Sequence, residues 1–358
     1  MLFRTLLLVL APTMALAQAK VVNVFNWSDY IDKAVIADFE RESGIKVRYD
    51  TFDSNDLLQT KLLAGKTGYD VVVPTSTFLA NQIAAGALRK LDKAKLPNLK
   101  NLDPELMARL ARLDPGNQHA VIYLWGTTGI GLNRDKIKTR MANPPSNSLA
   151  MVFDPAVVAK FADCGVSLLD APDEVIPATL KFLGLNPDSK APADLAKAEA
   201  QLMKIRPHIR KFHSSQYIND LANGDGCLAF GWSGDVLQAK QRAIEAKNKV
   251  VVQYLLPKEG ALQWFDTLAI PADAPNVDNA HAFINFLLRP EVIARVTNEV
   301  KYPNANPASL AKVSKEARED SDVFPPPTVV KQLYTITPPT QAEQRAMSRI
   351  WTKIKAGG

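Results

Sequence analysis

The sequence predicts an α/β protein of two lobes, each a mostly parallel sheet flanked by helices, with the chain passing between them more than once. Three observations carry that expectation. The N-terminal region alternates short apolar strands with amphipathic helices, the pattern of a parallel sheet covered on both faces. The chain has 358 residues, beyond the size at which one hydrophobic core keeps growing, and 47% hydrophobic residues are ample for two. Glycine-rich and extended stretches at 125–131 and 249–257 break the alternation where the chain would leave one lobe for the other.

Residues 1–19 carry a basic start at Arg4, an apolar run at 6–10 and small residues at Ala15, Ala17 and Ala19, which reads as a secretory signal peptide cut after Ala17 or Ala19. The run is too short to span a bilayer, and no later segment reaches the roughly 20 apolar residues of a membrane helix. With no cysteine near the cleavage point, an unlipidated periplasmic protein is expected.

Residues 21–25 then read as a buried strand. Ile31, Val35, Ile36 and Phe39 recur at helical spacing before a Gly44 stop. A second strand is expected at 45–49, a helix at 55–64 closed by Gly65, and a third strand at 69–73 ended by Pro74. In such sheets ligands bind beyond the carboxyl ends of the strands, where 27–30 and 74–77 both fall.

The glycines after Trp125 mark the first crossing, 249–257 resembles another, and 280–288 is a helix returning to the first lobe. These readings divide the chain into 20–125 plus 250–297 for one lobe and 126–249 plus 298–358 for the other. Met347, Ile350, Trp351 and Ile354 place a last amphipathic helix after the prolines at 325–327 and 338–339.

The formal charge is +6, but Lys and Arg are dispersed without a basic run or interleaved aromatics, so nucleic acid is not an expected partner. Cys164 and Cys227 are the only cysteines, and in an oxidising compartment such a pair reads as a structural disulfide before a metal site. His119, His208, His213 and His281 lack zinc-protease spacing. The Ser233 turn lacks the second spacer of a nucleophile elbow, and 126–131 does not follow the dinucleotide fingerprint. Binding without chemistry is the favoured reading, with no metal and no cofactor.

The recurring feature is a carboxylate beside aromatic rings. Asn26-Trp27-Ser28-Asp29-Tyr30 sets one between two π-faces, Trp232 precedes Asp235, Trp264-Phe265-Asp266 repeats the pairing, and Tyr302 stands apart. That chemistry suits an organic cation. A diamine carries a charge at each end with methylenes between, and needs separated carboxylates and flat walls. Structural roles compete at each position. Asp29 reads first as a helix N-cap or first-turn acid, Asp173 and Glu174 as the acids of a helix start, and Trp27 and Tyr30 as core or rim residues. Trp264 and Asp266 alternate about Phe265 and would share one face of an extended segment, which packing alone explains least.

The segments NWSDYI, GIKVRYDTFDSN, YDVVVP, LDKAKLPNLKNLDPEL, TTGIGLN, CGVSLLDAP, FHSSQYINDLANGD and LLRPEV together cover nearly the whole mature chain. With them the chain resembles bacterial periplasmic polyamine-binding proteins of ABC importers, most closely the putrescine-binding type. The resemblance implies a two-lobed type II periplasmic-binding fold that closes over its ligand, a monomer delivering a polyamine to an inner-membrane ABC permease. It implies that Trp27, Tyr30, Trp232 and Tyr302 line the aliphatic chain, with Ser28 and Asp29 near one end. It further implies that Glu174, Asp235 and Asp266 meet the ammonium groups and that Cys164 and Cys227 form a family disulfide.

Thr75 stands where the family usually has serine after the VVP run, with a further hydroxyl at Thr77. Trp264 stands where putrescine-type members commonly have phenylalanine and spermidine-preferring members tryptophan, which leans the expectation towards spermidine. The text at 146–151 also departs from the family. An ω-amino acid such as γ-aminobutyrate and, further off, a hydrolase on the same scaffold are the alternatives.

Overall fold

The computed structural model describes residues 20–357; the segment read as a signal peptide lies outside them. Nine strands form one sheet in the order β2-β1-β3-β9-β4-β7-β5-β6, with β8 also paired to β4. They are β1 (Val21–Trp27), β2 (Lys46–Phe52), β3 (Val71–Val72), β4 (Ala120–Asn133), β5 (Val166–Leu168), β6 (Lys211–Phe212), β7 (Leu228–Trp232), β8 (Val252–Leu255) and β9 (Leu262–Ala269). The outer ladders, β2-β1-β3 on one side and β7-β5-β6 on the other, are parallel. Antiparallel pairing is confined to contacts with β4 and β9. The mostly parallel expectation thus holds away from the centre, where a strand that returns from one lobe to the other runs opposite to the one that left.

β4 is the structural axis. At 14 residues it spans about 46 Å at 3.3 Å per residue, well beyond a typical strand. Residues 120–128 pair with β9 and residues 128–132 with β7. Its first half sits in a core containing Val22, Phe39, Leu79, Phe283 and Val296, and its second half in a core containing Phe153, Phe161, Leu202, Phe230 and Trp351. Every residue of β4 except Trp125 is buried, so the glycine-rich text at 126–131 is part of a covered strand.

The N-terminal elements form where patterning places them. The first helix, Lys33–Ser43, ends in left-handed Gly44. The second, Asn55–Ala64, is capped by Ser54 and closed by Gly65. The residue that caps the first helix is Asp32, whose carboxylate accepts from the Ala34 N–H, and not Asp29. Asp29 instead adopts φ 53° in the preceding turn. The helix Pro172–Phe182 carries Asp173 and Glu174 in its first turn as expected, with Pro177 inside it.

Two segments pack away from their expected lobes. β8 pairs with Ile130 to Asn133 of β4, and its Val252 and Tyr254 lie in the second core, so 249–257 is a local strand and β9 is the return crossing. Tyr302 and Ala305 belong to the first core, whereas the last helix, Gln341–Ala356, buries Met347, Trp351 and Ile354 in the second. A run of apolar residues bounded by proline does not distinguish an edge strand from a crossing, and the crossing expected at 249–257 falls at β9. Cys164 and Cys227 are joined by a disulfide within the second lobe. Among the described residues no helix is long and apolar enough to cross a membrane.

Candidate ligand-binding site

A narrow cavity, with about 20 Å³ open to a water-sized molecule, lies between the lobes where β4, β7 and β9 meet. Register builds it. Thr128 of β4 is opposite Trp232 on β7, while Gly126 and Leu124 are opposite Trp264 and Asp266 on β9. Residues far apart in sequence therefore become neighbours across the ladder. Gly126 is needed because a Cβ there would lie 2.6 Å from the Trp264 ring. A Cβ on Gly234 would likewise strike the Tyr302 ring.

Aromatic rings form a continuous wall. Trp27 meets Trp232 edge-on at 5.4 Å between centroids, Trp232 meets Trp264 at 6.4 Å, Trp264 meets Tyr302 at 5.5 Å, and Tyr302 meets Tyr30 at 5.1 Å. Tilted and edge-on arrangements leave ring faces available to a ligand, and such faces attract cations. The Trp27 indole is held by its N–H donating to the Val73 carbonyl at 2.9 Å. The Tyr302 segment is tied down by the Trp125 N–H donating to the Pro303 carbonyl.

Three buried carboxylates face this wall, each held by neutral donors. Glu174 accepts from the Trp232 indole N–H at 2.8 Å and from the Thr128 hydroxyl, which itself accepts from the Trp264 N–H at 3.1 Å. Asp235 accepts from the Tyr302 and Tyr217 hydroxyls at 2.7 and 2.8 Å. Backbone N–H groups of Asp235 and Trp232 donate to those two phenol oxygens and so aim their protons at the carboxylate. Asp266 accepts from Thr75 at 2.6 Å, and Asn55 donates to Thr75 Oγ1, orienting it in the same way. The Tyr30 ring lies beside Asp266, its buried hydroxyl without an aligned hydrogen bond.

Burial pushes the carboxyl groups of Glu174, Asp235 and Asp266 up to about 7 each, against the lowering pull of these donors. Glu174 and Asp235 sit in the first turns of their helices, Pro172–Phe182 and Ser233–Ala246, where the helix dipole favours negative charge. Among the described residues no lysine, arginine or histidine lines the cavity. The arrangement is a low-dielectric slot with buried acidic groups and aromatic sides. Among the described residues no group of histidine, cysteine and acidic side chains is placed to hold a metal ion.

The structure brings Trp27, Ser28, Tyr30, Thr75, Glu174, Trp232, Asp235, Trp264, Asp266 and Tyr302 to this one cavity. It does not bring Asp29 or Thr77. The Asp29 carboxylate points outward to Arg242, 2.8 Å away, bridging the outer edges of the two lobes. A left-handed backbone at Asp29 turns its side chain away while Ser28 and Tyr30 face in. Thr77 is one helical step past Thr75 and lines a separate small cavity with Phe78, Asp173 and Ile336.

Phe52, Asp53, Ser214 and Ser215 line the main cavity and were not singled out from the sequence. Their signal was positional. Phe52 closes β2, and the serines follow β6, both at carboxyl ends of parallel strands.

A family profile describing bacterial extracellular solute-binding proteins matches residues 34–325. The chain is 53% identical over 342 residues to the putrescine-binding periplasmic protein SpuD of Pseudomonas aeruginosa, covering 95% of this chain and 93% of that one. It is 50% identical over 343 residues to the putrescine-binding periplasmic protein PotF of Escherichia coli, with the same coverage. A putative spermidine/putrescine ABC transporter protein from Listeria monocytogenes superposes with a TM-score of 0.84 at 31% identity, covering 94% of this chain and 99% of that one. On this identity and coverage, the chain belongs to the bacterial extracellular solute-binding proteins.

Proposed function

We propose that the protein captures a linear polyamine, putrescine or spermidine, in the cavity between its lobes and delivers it unaltered to an ABC permease. The observation that carries this reading is the set of three buried carboxylates, Glu174, Asp235 and Asp266, facing aromatic walls with no cationic side chain in the lining. An uncompensated buried carboxylate is costly, and protonated amines supply the missing charge while methylenes lie along the rings. The names carried by SpuD and PotF support the same ligand class.

Capture is coupled to closure. Glu174 and Asp235 stand on helices packed in the second core, and Asp266 on a strand of the first, so an amine reaching all of them holds the lobes together. Those contacts exist only when the lobes are shut, and ligand binding therefore shifts the population towards the closed form. The reading includes export through a cleaved segment at 1–19, a periplasmic monomer, and a chain divided into two lobes that share β4 and β9. Trp27, Ser28, Tyr30, Thr75, Trp232, Trp264 and Tyr302 complete the ligand's surroundings.

An ω-amino acid would place a carboxylate where the lining offers only carboxylates, hydroxyls and rings. Lys211, on the strand that precedes the lining serines, is held by Asp220 at 2.8 Å. The test is calorimetry with putrescine, cadaverine and spermidine on protein unfolded and refolded to strip carried-over ligand. Saturable heat with at least one amine is expected, and silence with all three would remove the proposal.

A further inference from the structure

We infer that the cavity distinguishes polyamines by proton count: the complex with a diamine holds one proton on its three buried carboxyl groups, and the complex with a triamine holds none. This rests on the polyamine reading above and adds to it the charge state of the bound complex.

The proton count follows from a balance of buried charge. Glu174, Asp235 and Asp266 are 7%, 5% and 4% exposed, so bulk water screens none of them well. Every protein group that hydrogen-bonds to them is neutral: the Trp232 indole, the hydroxyls of Thr128 and Thr75, and the phenols of Tyr217 and Tyr302. Burial and the neighbouring acids hold the phenols of Tyr30, Tyr217 and Tyr302 far above neutrality, so they stay protonated and contribute no charge.

Charged groups outside the trio do not alter the count. Asp29 near Asp235 is matched by Arg242. Asp173, immediately before Glu174 on the helix start, lines the separate small cavity, is held well above the ordinary carboxylate range by burial and by the Glu174 charge, and is common to both complexes. Asp53, partly buried in the lining, is common to both complexes and cancels from their comparison.

Three ionised carboxylates against two ammonium groups would leave one buried negative charge without a partner. Removing such a charge by protonation is the usual outcome when burial opposes ionisation. Because burial lifts each carboxyl group to about 7, the proton is available at neutral pH. A triamine brings three positive charges, and the balance closes without it.

The consequence is a thermodynamic linkage. A diamine's affinity therefore weakens relative to a triamine's by up to about tenfold per unit of rising pH around neutrality. Whatever the protonation of the free protein, the two complexes differ by about one proton.

The experiment is titration calorimetry of the refolded, ligand-stripped protein with putrescine and with spermidine, at neutral pH, in phosphate and in Tris. The dependence of the heat on buffer ionisation enthalpy gives the protons exchanged. A diamine count higher than the triamine count by about one supports the inference; equal counts overturn it. Glu174→Gln leaves two carboxylates for two ammonium groups, so its putrescine and spermidine counts should be equal, a persisting difference of about one being a second way to overturn the inference. Should Glu174→Gln fail to fold, Asp266→Asn makes the same prediction. Absence of heat with both amines in the unmutated protein overturns the polyamine reading itself, and the inference with it.

Discussion

Asp29→Asn separates two roles by magnitude. If Asp29 anchored an ammonium group, losing its charge would remove a charge-assisted hydrogen bond of about 1.5–3 kcal/mol and weaken binding about 13- to 160-fold. The structure places it instead at the outer edge, paired with Arg242, at side-chain exposures of 44% and 33%. A partly exposed pair contributes only about 0.2–1 kcal/mol, which corresponds to a loss of about 1.4- to 5-fold. Asparagine tolerates the left-handed backbone at this position, so the substitution tests charge and not conformation. The assay is a calorimetric double-mutant cycle with Arg242→Ala, repeated at low and high salt. Expected are small single effects, a double mutant no worse than either single, and a gap that shrinks with salt. A loss of 30-fold or more in Asp29→Asn, undiminished when Arg242 is already absent, would refute the outward placement of this carboxylate.

The remaining predictions concern stability and shape. Gly126→Ala drives a methyl into the Trp264 ring, so overpacking of about 1–3 kcal/mol and a loss of polyamine binding are expected, read by urea unfolding and calorimetry. Replacing both Cys164 and Cys227 with alanine opens a link between residues 63 apart in sequence. The loop-entropy relation puts that loss at about 4 kcal/mol, visible as a lower urea midpoint, and an unchanged midpoint would contradict it. Glu174, Asp235 and Asp266 have folded-state values of about 7, raised by burial above the ordinary carboxylate range. Such groups stabilise the closed fold fully below their unfolded values, and that contribution is lost as pH rises from about 4 to about 7. Melting of the ligand-stripped protein across this range should show falling stability; a flat profile would mean that the cleft opens and rehydrates the three carboxyl groups.

Much of the architecture was legible because local signals agreed with one another. The helix at 55–64 was bounded by Gly65 and by turn residues before it, and Gly44 marked the end of the helix before it. The long-range arrangement was harder to read. Glu174 looked like a first-turn acid and is one, yet the same position aims it at Trp232, a fact set by the pairing of Thr128 with Trp232 across β4 and β7. Cross-strand register between segments a hundred residues apart leaves no trace in periodicity. Asp29 shows the converse difficulty: a carboxylate between two aromatics is the right chemistry, but one left-handed residue sends it outward. The resemblance to polyamine-binding proteins brought these residues together before any geometry was known, though it could not tell that the one carboxylate of NWSDYI turns away.

Because β4 donates one half to each hydrophobic core, neither half of the molecule is a self-sufficient folding unit. Cutting the chain near 126–128 would strip both cores of their central ladder at once. The expectation is that the two halves melt together in a single co-operative transition, and that neither survives as an isolated fragment.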